Sequence, residues 1–315
     1  MIRSVRPVAA LLVVGAVALS GCGADDAEQA SDGATPIVFE PVTDPDTGAI
    51  IDPDPGRVGP QGRVAQFVVH CEPGQVSFDD PIVLPNEPGA SHQHQFFGNL
   101  DVTASPDYDS VVGADTTCEQ RLDTASYWAP TLLDAAGRRV DPIDLTVYYR
   151  TPVGVDPAVV EPFPEGFMMV GGAGPGHDHG DDVGDPKPAP LEVVAWSCGT
   201  GTRRDPTPPV CSPDSTLRLL VVFPSCWDGM RLTSGGRNGH VASPDPLAGC
   251  VDPYPVAIPE VTMAIDYPSV DPDGLTLSSG PLATAHADFW NVWDQSKLET
   301  EVANCINRDL VCGLG

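Results

Sequence analysis

The apolar residues of this chain are gathered into short runs that are separated by turn-forming residues. Five of the runs are rich in β-branched and aromatic side chains. They cover residues 64–71, 145–150, 191–198, 217–223 and 261–265. The chain contains 35 prolines and 32 glycines, which bound these runs. This pattern predicts β-strands, and no strand–helix alternation of the α/β type accompanies it. The sequence therefore predicts a mainly β fold, a single β-sandwich or jelly-roll-like domain.

One short helix is predicted near the C-terminus. Ser296 is followed three positions later by Glu299, which is the spacing of a capping box. Leu298, Val302 and Cys305 then recur at helical spacing.

The N-terminus predicts a protein that leaves the cytoplasm. Arg3 and Arg6 precede an apolar run over residues 8–19, and a small-residue cleavage site follows it. These features are typical of a secretory signal peptide, here residues 1–21. The run is shorter than the about 20 residues that a transmembrane helix needs. Its ending, Leu19-Ser20-Gly21-Cys22, resembles a bacterial lipobox, which implies a lipid on Cys22 and a location on the outer face of the bacterial cell membrane.

The remaining chain divides by composition into a tether and a domain. Residues 22–62 are rich in Asp, Pro and Gly, and they predict a disordered tether. Residues 63–315 predict one β-rich domain. A Gly-rich tract at about 171–190 predicts a flexible insertion, and its His177 and His179 are interpreted as surface-loop residues that bind metal only weakly.

Charge and cysteine content limit the classes of function. The chain has 44 acidic and 16 basic residues, which argues against binding to nucleic acid or to anionic membrane surfaces. It also has nine cysteines, and lipidation of Cys22 leaves eight for four disulfides in an oxidising compartment. Short separations favour the pairs Cys198–Cys211, Cys226–Cys250 and Cys305–Cys312, which leaves Cys71–Cys118. The sequence contains no C-x-x-C pair, which argues against a structural zinc site built from cysteines.

Two histidine motifs place ligand-type side chains on one face of an extended segment. His92 and His94 are spaced i and i+2, and so are His286 and Asp288. Alternate residues of a strand point to the same side. Asp228, in a Trp-Asp-Gly segment, and His240 are the other candidates.

Taken in order, these motifs resemble a known family. The segments are His92-Gln93-His94, Phe97-Gly98-Asn99, residues 223–229, His240, Pro255-Val256, and His286-x-Asp288-Phe289 with Trp293. Together with Asp80-Pro81-Ile82-Val83 and Tyr127-Trp128-x-Pro130, the set resembles the domain-of-unknown-function family 1996 of secreted actinobacterial and fungal proteins. The resemblance implies secretion and a shared fold but no established reaction. Gln95 stands where the family commonly has Asp, and Arg237 where it commonly has His.

Three functions fit these residues, and the sequence leaves them open. In the first, the protein is a hydrolase or lyase that acts on cell-wall or other extracellular polysaccharide, with Asp228 and Asp288 as paired carboxylates. The catalytic candidates are His92, His94, Asp228, His240, His286 and Asp288. The substrate-binding candidates are Trp227, Trp290, Asn291 and Trp293.

The second function is a metal centre, with His92, His94, His240 and His286 as candidate ligands for Zn, Mn, Fe or Cu. The third is a non-catalytic glycan-binding or adhesion module, whose histidines are dispersed or hydrogen-bonded to the backbone. Three imidazoles that converge on one point would support the metal centre, whereas dispersed histidines would support the non-catalytic module.

Overall fold

A computed structural model provides the structure of the protein. It describes residues 64–172, 188–201, 203–235 and 238–312, together with the backbone of two short paired strands, β1 (Val42–Thr43) and β2 (Ile50–Ile51). The predicted signal peptide, Cys22, His177, His179 and Arg237 lie outside the described residues.

Five strands form an antiparallel sheet that we call the apolar sheet. In spatial order these are β11 (Val194–Cys198), β12 (Leu217–Val222), β16 (Glu260–Tyr267), β9 (Asp144–Arg150) and β3 (Gln66–Cys71). Each of the five apolar runs in the sequence contributes one strand, so these strand predictions are confirmed.

A second antiparallel sheet, the histidine sheet, carries both predicted histidine motifs. In spatial order it contains β10 (Met168–Gly172), β18 (His286–Trp290), β6 (Ser126–Pro130), β5 (His94–Gly98) and β4 (Pro73–Ser77). Its three inner strands β18, β6 and β5 are buried along their whole length.

Two three-stranded sheets and three 3₁₀ turns complete the β-structure. One sheet contains β14 (Val241–Ala242), β13 (Cys226–Trp227) and β15 (Val256–Ala257); the other contains β17 (Thr276–Leu277), β7 (Leu132–Leu133) and β8 (Arg139–Val140). The 3₁₀ turns are Tyr108–Ser110, Pro157–Val159 and Leu282–Thr284.

An aromatic core joins the apolar sheet to the histidine sheet. Tyr149 of β9 stacks on Phe67, with ring centroids 4.5 Å apart, and contacts Phe289 of β18 edge-on at 6.2 Å. Its hydroxyl group hydrogen-bonds to the Tyr127 hydroxyl of β6 and accepts the indole N–H of Trp293 at 3.0 Å. This packing confirms a mainly β protein whose principal core lies between two sheets.

The opposite face of the histidine sheet is also buried. Phe96, Trp128, Val170 and Trp290 form a second apolar cluster there, and Ile82 from the loop before β5 packs against them. Because side chains alternate along a strand, His94, His286 and Asp288 lie on this second face, away from the core between the sheets. The candidate site therefore lies on the face of the histidine sheet that the loop before β5 covers.

The C-terminal helix is present but begins earlier than predicted. It covers Gln295–Glu301 and continues as a π-turn over Val302–Ile306. The N-cap is Asp294, whose carboxylate accepts the backbone N–H of Lys297, so the assignment of the cap to Ser296 was wrong. The Ser296 hydroxyl instead donates to the same carboxylate. In the part of the chain that the structure describes, no helix is both long and apolar enough to cross a membrane.

Four disulfides brace the domain. They join Cys71 to Cys118, Cys198 to Cys211, Cys226 to Cys250 and Cys305 to Cys312. This is the pairing expected from the separations along the sequence. Removing one native disulfide from a small secreted domain typically costs about 2–5 kcal/mol.

Candidate metal centre

Three histidines from two distant parts of the chain meet on the second face of the histidine sheet. His92, His94 and His286 each offer one nitrogen, and these nitrogens all lie within 4.8 Å of one another. The ring centroids are 4.3 Å apart for His92 and His94, 5.1 Å for His92 and His286, and 6.0 Å for His94 and His286. We call these three residues the imidazole cluster.

Strand pairing explains how the cluster forms. Strands β5 and β18 lie on either side of β6, so their backbones are about 9.6 Å apart. His94 pairs with Pro130 of β6, and Asp288 pairs with Trp128, which places His286 level with Pro130. The imidazoles of His94 and His286 therefore approach each other across Pro130, whose side chain is a small ring.

His92 is held by the segment that leads into β5. The carbonyl of Gln93 accepts hydrogen bonds from the Thr131 backbone N–H and from the Ser278 hydroxyl. This extended conformation puts His92 on the same side as His94, as the i, i+2 spacing predicts. His92 is half-buried, whereas His94 and His286 are buried. His92 is therefore the most exposed member of the cluster, although its Nε2 is buried.

Backbone carbonyls orient two of the three rings. Nδ1 of His94 lies 3.1 Å from the carbonyl oxygen of Asp79, and Nδ1 of His286 lies 2.8 Å from that of Thr284. A carbonyl oxygen can only accept, so Nδ1 carries the proton in each ring and Nε2 carries the lone pair in the neutral form. A histidine that binds a metal typically donates its other N–H in this way.

Glycine is required opposite His286. Gly172 pairs with His286 and has a φ of +95°, a conformation that other residues rarely adopt. A Cβ atom at this position would lie 2.7 Å from the carbonyl oxygen of Ala285 and 2.7 Å from Cα of His286. The glycine lets β10 pack closely against the strand that positions the imidazole.

A buried carboxyl group lies next to the cluster. One oxygen of Asp288 is 3.9 Å from Nε2 of His286, which is longer than a hydrogen bond. The side chain is fully buried, and neither oxygen accepts a hydrogen bond from any residue that the structure describes. Burial first, and then the negative charge of Asp80, raise the pKa of Asp288 well above its ordinary value. A cation beside it would compensate this buried charge.

Asp80 is a member of the site that the sequence analysis did not single out. It is buried, and one of its oxygens accepts the backbone N–H groups of Ile82 and Val83. Burial raises the pKa of Asp80 to about 6, although these two hydrogen bonds oppose the shift. The sequence did place Asp80 in the Asp80-Pro81-Ile82-Val83 motif. However, an Asp-Pro dipeptide is typical of a turn, so this residue was not selected as a site candidate.

The donor set fits a divalent transition-metal ion. Nitrogens that share a tetrahedral zinc ion lie about 3.3 Å apart, because each Zn–N bond is about 2.0–2.1 Å. The limit of 4.8 Å shows that small side-chain rotations would bring the three nitrogens to this spacing. A second group of ligand-type residues, Cys71, Cys118 and Asp123, is no metal site, because its two sulfurs are joined in a disulfide.

Comparison with known proteins assigns the family. The family described as Domain of unknown function (DUF1996) matches residues 80–293, which is more than half of the chain. The chain belongs to the DUF1996 family. The family assignment made from the motifs is therefore confirmed, and the matched range contains the imidazole cluster and both buried carboxyls. Searches of curated proteins and of solved structures found no match.

His240 lies elsewhere in the DUF1996 domain. Its Nε2 contacts the carbonyl oxygen of Met168 at 2.9 Å, and its Nδ1 contacts the Ser234 hydroxyl at 2.8 Å. Met168 and Gly172 are four residues apart on β10, which places His240 about 13 Å along the strand from the position of His286. Nε2 of His240 therefore joins the 225–240 segment to β10, and Nδ1 forms a contact within that segment.

Asp228 also has structural partners. One oxygen accepts the backbone N–H groups of Met230 and Arg231, and the other lies 2.7 Å from Nε of Arg231. Burial alone would raise the pKa of Asp228, but these hydrogen bonds and the guanidinium charge lower it below its ordinary value. The paired-carboxylate mechanism needs a carboxyl directed at substrate, and Asp228 is held in a turn next to His240 instead.

The remaining predicted site residues of the DUF1996 domain are engaged inside it. Trp290 and Trp293 are buried, so neither presents a ring face to an external sugar. Asn291 donates to the carbonyl of Pro164. Trp227 is partly exposed, and its indole N–H donates to the carbonyl of Arg231. Gln95 points to the face opposite His94, so the Asp-to-Gln difference from the family pattern does not touch the cluster.

Proposed function

We propose that this DUF1996 domain binds one divalent transition-metal ion through His92, His94 and His286. The observation that supports it best is the convergence of three imidazole nitrogens within 4.8 Å. The two Nδ1–carbonyl contacts support it further, because they leave Nε2 of His94 and His286 as the basic nitrogens.

The ligand type narrows the choice of metal. Imidazole suits Zn, Cu and Fe, whereas Mn prefers carboxylate, carbonyl and water oxygens. Three protein ligands are typical of catalytic zinc sites, which keep a fourth position for water or substrate. A bound ion would supply Lewis-acid chemistry there, while Asp288 would hold negative charge or a proton beside His286.

We further propose that the domain works outside the cell, tethered by a lipid on Cys22 to the outer face of the bacterial membrane. Extracellular polysaccharide remains the substrate class proposed from that location. A metal-dependent reaction on it has more support than a paired-carboxylate one, because Asp228 is bonded to Arg231. A glycan-binding module with dispersed histidines has less support, because three of the seven histidines converge.

Metal titration tests the proposal. The mature chain is prepared with Cys22→Ser to prevent lipidation, stripped of metal, and titrated with Zn²⁺ and Cu²⁺ by calorimetry, with elemental analysis of the product. We expect one equivalent of tightly bound metal. His286→Ala should weaken binding by at least about 100-fold, since even partners outside the ligand set contribute about 10–100-fold.

Two control variants use other histidines of the chain. His70 lies on the apolar sheet and contacts the Thr146 hydroxyl, so His70→Ala should leave affinity unchanged. The double variant His177→Ala/His179→Ala removes the second H-x-H motif. Equal affinity in wild type and His286→Ala, with loss in the double variant, would assign the metal to that motif and refute the proposed centre.

A further inference from the structure

A group of buried polar atoms lies beside the imidazole cluster. Ser126, Trp128, Asp288 and Trp290 are all fully buried. The serine hydroxyl, both indole N–H groups and both carboxyl oxygens form no hydrogen bond with any residue that the structure describes. Buried polar groups without a partner are rare in folded proteins because they are costly.

The four side chains are neighbours on one face of the histidine sheet. Asp288 of β18 pairs with Trp128 of β6, and Trp290 pairs with Ser126. Directly opposite residues on adjacent strands have Cβ atoms about 4.5–5.5 Å apart. Alternation along each strand then puts all four side chains on the same side, next to His286.

We propose that Ser126, Trp128, Asp288 and Trp290 line an internal pocket that binds ordered water molecules behind the imidazole cluster. The two indoles can only donate, the carboxylate oxygens accept, and the serine hydroxyl does both. A ligand must therefore offer acceptors and donors within a short distance. Water does so, whereas an apolar molecule would leave every group unpaired.

The surroundings also favour water as the occupant. The side chains are fully buried, so the pocket is closed to large ligands. Folded proteins contain about one buried water per 27 residues, and each typically makes about three hydrogen bonds to groups of this kind.

Internal water can be counted by magnetic relaxation dispersion of isotopically labelled water. The metal-free protein is used, so the result does not depend on the proposed metal centre. We expect the dispersion amplitude to fall by at least one water molecule in the double variant Trp128→Phe/Trp290→Phe, which replaces each indole by a smaller ring that has no N–H group. Trp293→Phe is the matched control, because the Trp293 N–H already donates to Tyr149, and its amplitude should equal that of the wild type.

The smaller change Ser126→Ala keeps the test decisive if the double variant does not fold. It should also lower the amplitude, and a high-resolution crystal structure should show water within hydrogen-bonding distance of the two indole nitrogens. An unchanged amplitude in these variants, or indole groups that bond directly to Asp288, would overturn the proposal. Failure of metal binding in the titration above would leave this result untouched, so the two proposals can fail separately.

Discussion

Two histidine-containing regions that belong to the same family motif have opposite environments in this protein. In the 225–240 segment, His240 and Asp228 are bonded at both ends to backbone groups, to Ser234 and to Arg231. In the imidazole cluster, the rings of His92, His94 and His286 face one another, and a fully buried carboxyl lies beside them. Residue types alone do not separate the two regions.

The difference lies in what each side chain stabilises. The bonds of the 225–240 segment close turns and join that segment to β10, so they support the fold without any ligand. Beside the imidazole cluster, the buried carboxyl of Asp288 accepts no hydrogen bond from the residues that the structure describes, and the negative charge of Asp80 lies close enough to raise its pKa further. Features of this kind are costly to the free protein and are typical of functional sites. The predictions below test this contrast.

The largest effect should come from metal on the imidazole cluster. Saturating Zn²⁺ or Cu²⁺ at about 1,000 times the dissociation constant should stabilise the wild type by about 4 kcal/mol. The triple variant His92→Ala/His94→Ala/His286→Ala should show no stabilisation, because all three ligands are gone. Chemical unfolding with and without metal measures both values. A triple variant that is stabilised as much as the wild type would place the metal elsewhere.

His240→Ala should reduce stability without affecting metal. It removes the partners of the Met168 carbonyl and the Ser234 hydroxyl and leaves a cavity, which together cost about 3–4 kcal/mol. Denaturant titration of the metal-free protein gives the loss, and calorimetry below the unfolding temperature gives the affinity. Ser234→Ala is the milder control, with a loss of about 1 kcal/mol. Loss of metal binding from folded His240→Ala would contradict the contrast.

Asp288→Asn should separate function from stability. The pKa of Asp288 is raised in the folded state, so its contribution to stability is present below pH 4 and is lost as pH rises. The uncharged amide avoids this loss, and the metal-free variant should be more stable than the wild type at neutral pH. Its affinity for metal should fall by about 10-fold. A variant that is less stable at every pH would show that Asp288 serves the fold.

The sequence predicted the apolar sheet better than the histidine sheet. Its five strands contain short runs rich in β-branched and aromatic residues, a signal that needs no tertiary context. Three strands of the histidine sheet, Pro73–Ser77, Ser126–Pro130 and Met168–Gly172, contain proline, glycine or polar residues at positions that typical strands avoid. They are extended because their neighbours pair with them, which is tertiary information.

The same limit applied to the candidate site. The spacing of His92 and His94, and of His286 and Asp288, correctly placed each pair on one side of an extended segment. Their convergence depends on β6 lying between β5 and β18, and no local pattern encodes that order. His240 is separate because its partners are a carbonyl and a hydroxyl in other segments.

The smallest effect should come from Asp80, at the edge of the cluster. Its folded pKa of about 6 lies above the ordinary 3.8, so the folded state holds a proton more tightly than the unfolded chain. This contribution to stability is complete below pH 4 and is lost as pH rises through 6, by about 3 kcal/mol in total. Asp80→Asn keeps an oxygen for the Ile82 and Val83 N–H groups and removes the titration. Unfolding free energies measured from pH 4 to pH 7 should therefore fall in the wild type more steeply than in the variant. Equal slopes would show that the charge of Asp80 is already compensated in the folded protein. Asp288 would then be the one carboxyl beside the imidazole cluster whose buried charge a cation compensates.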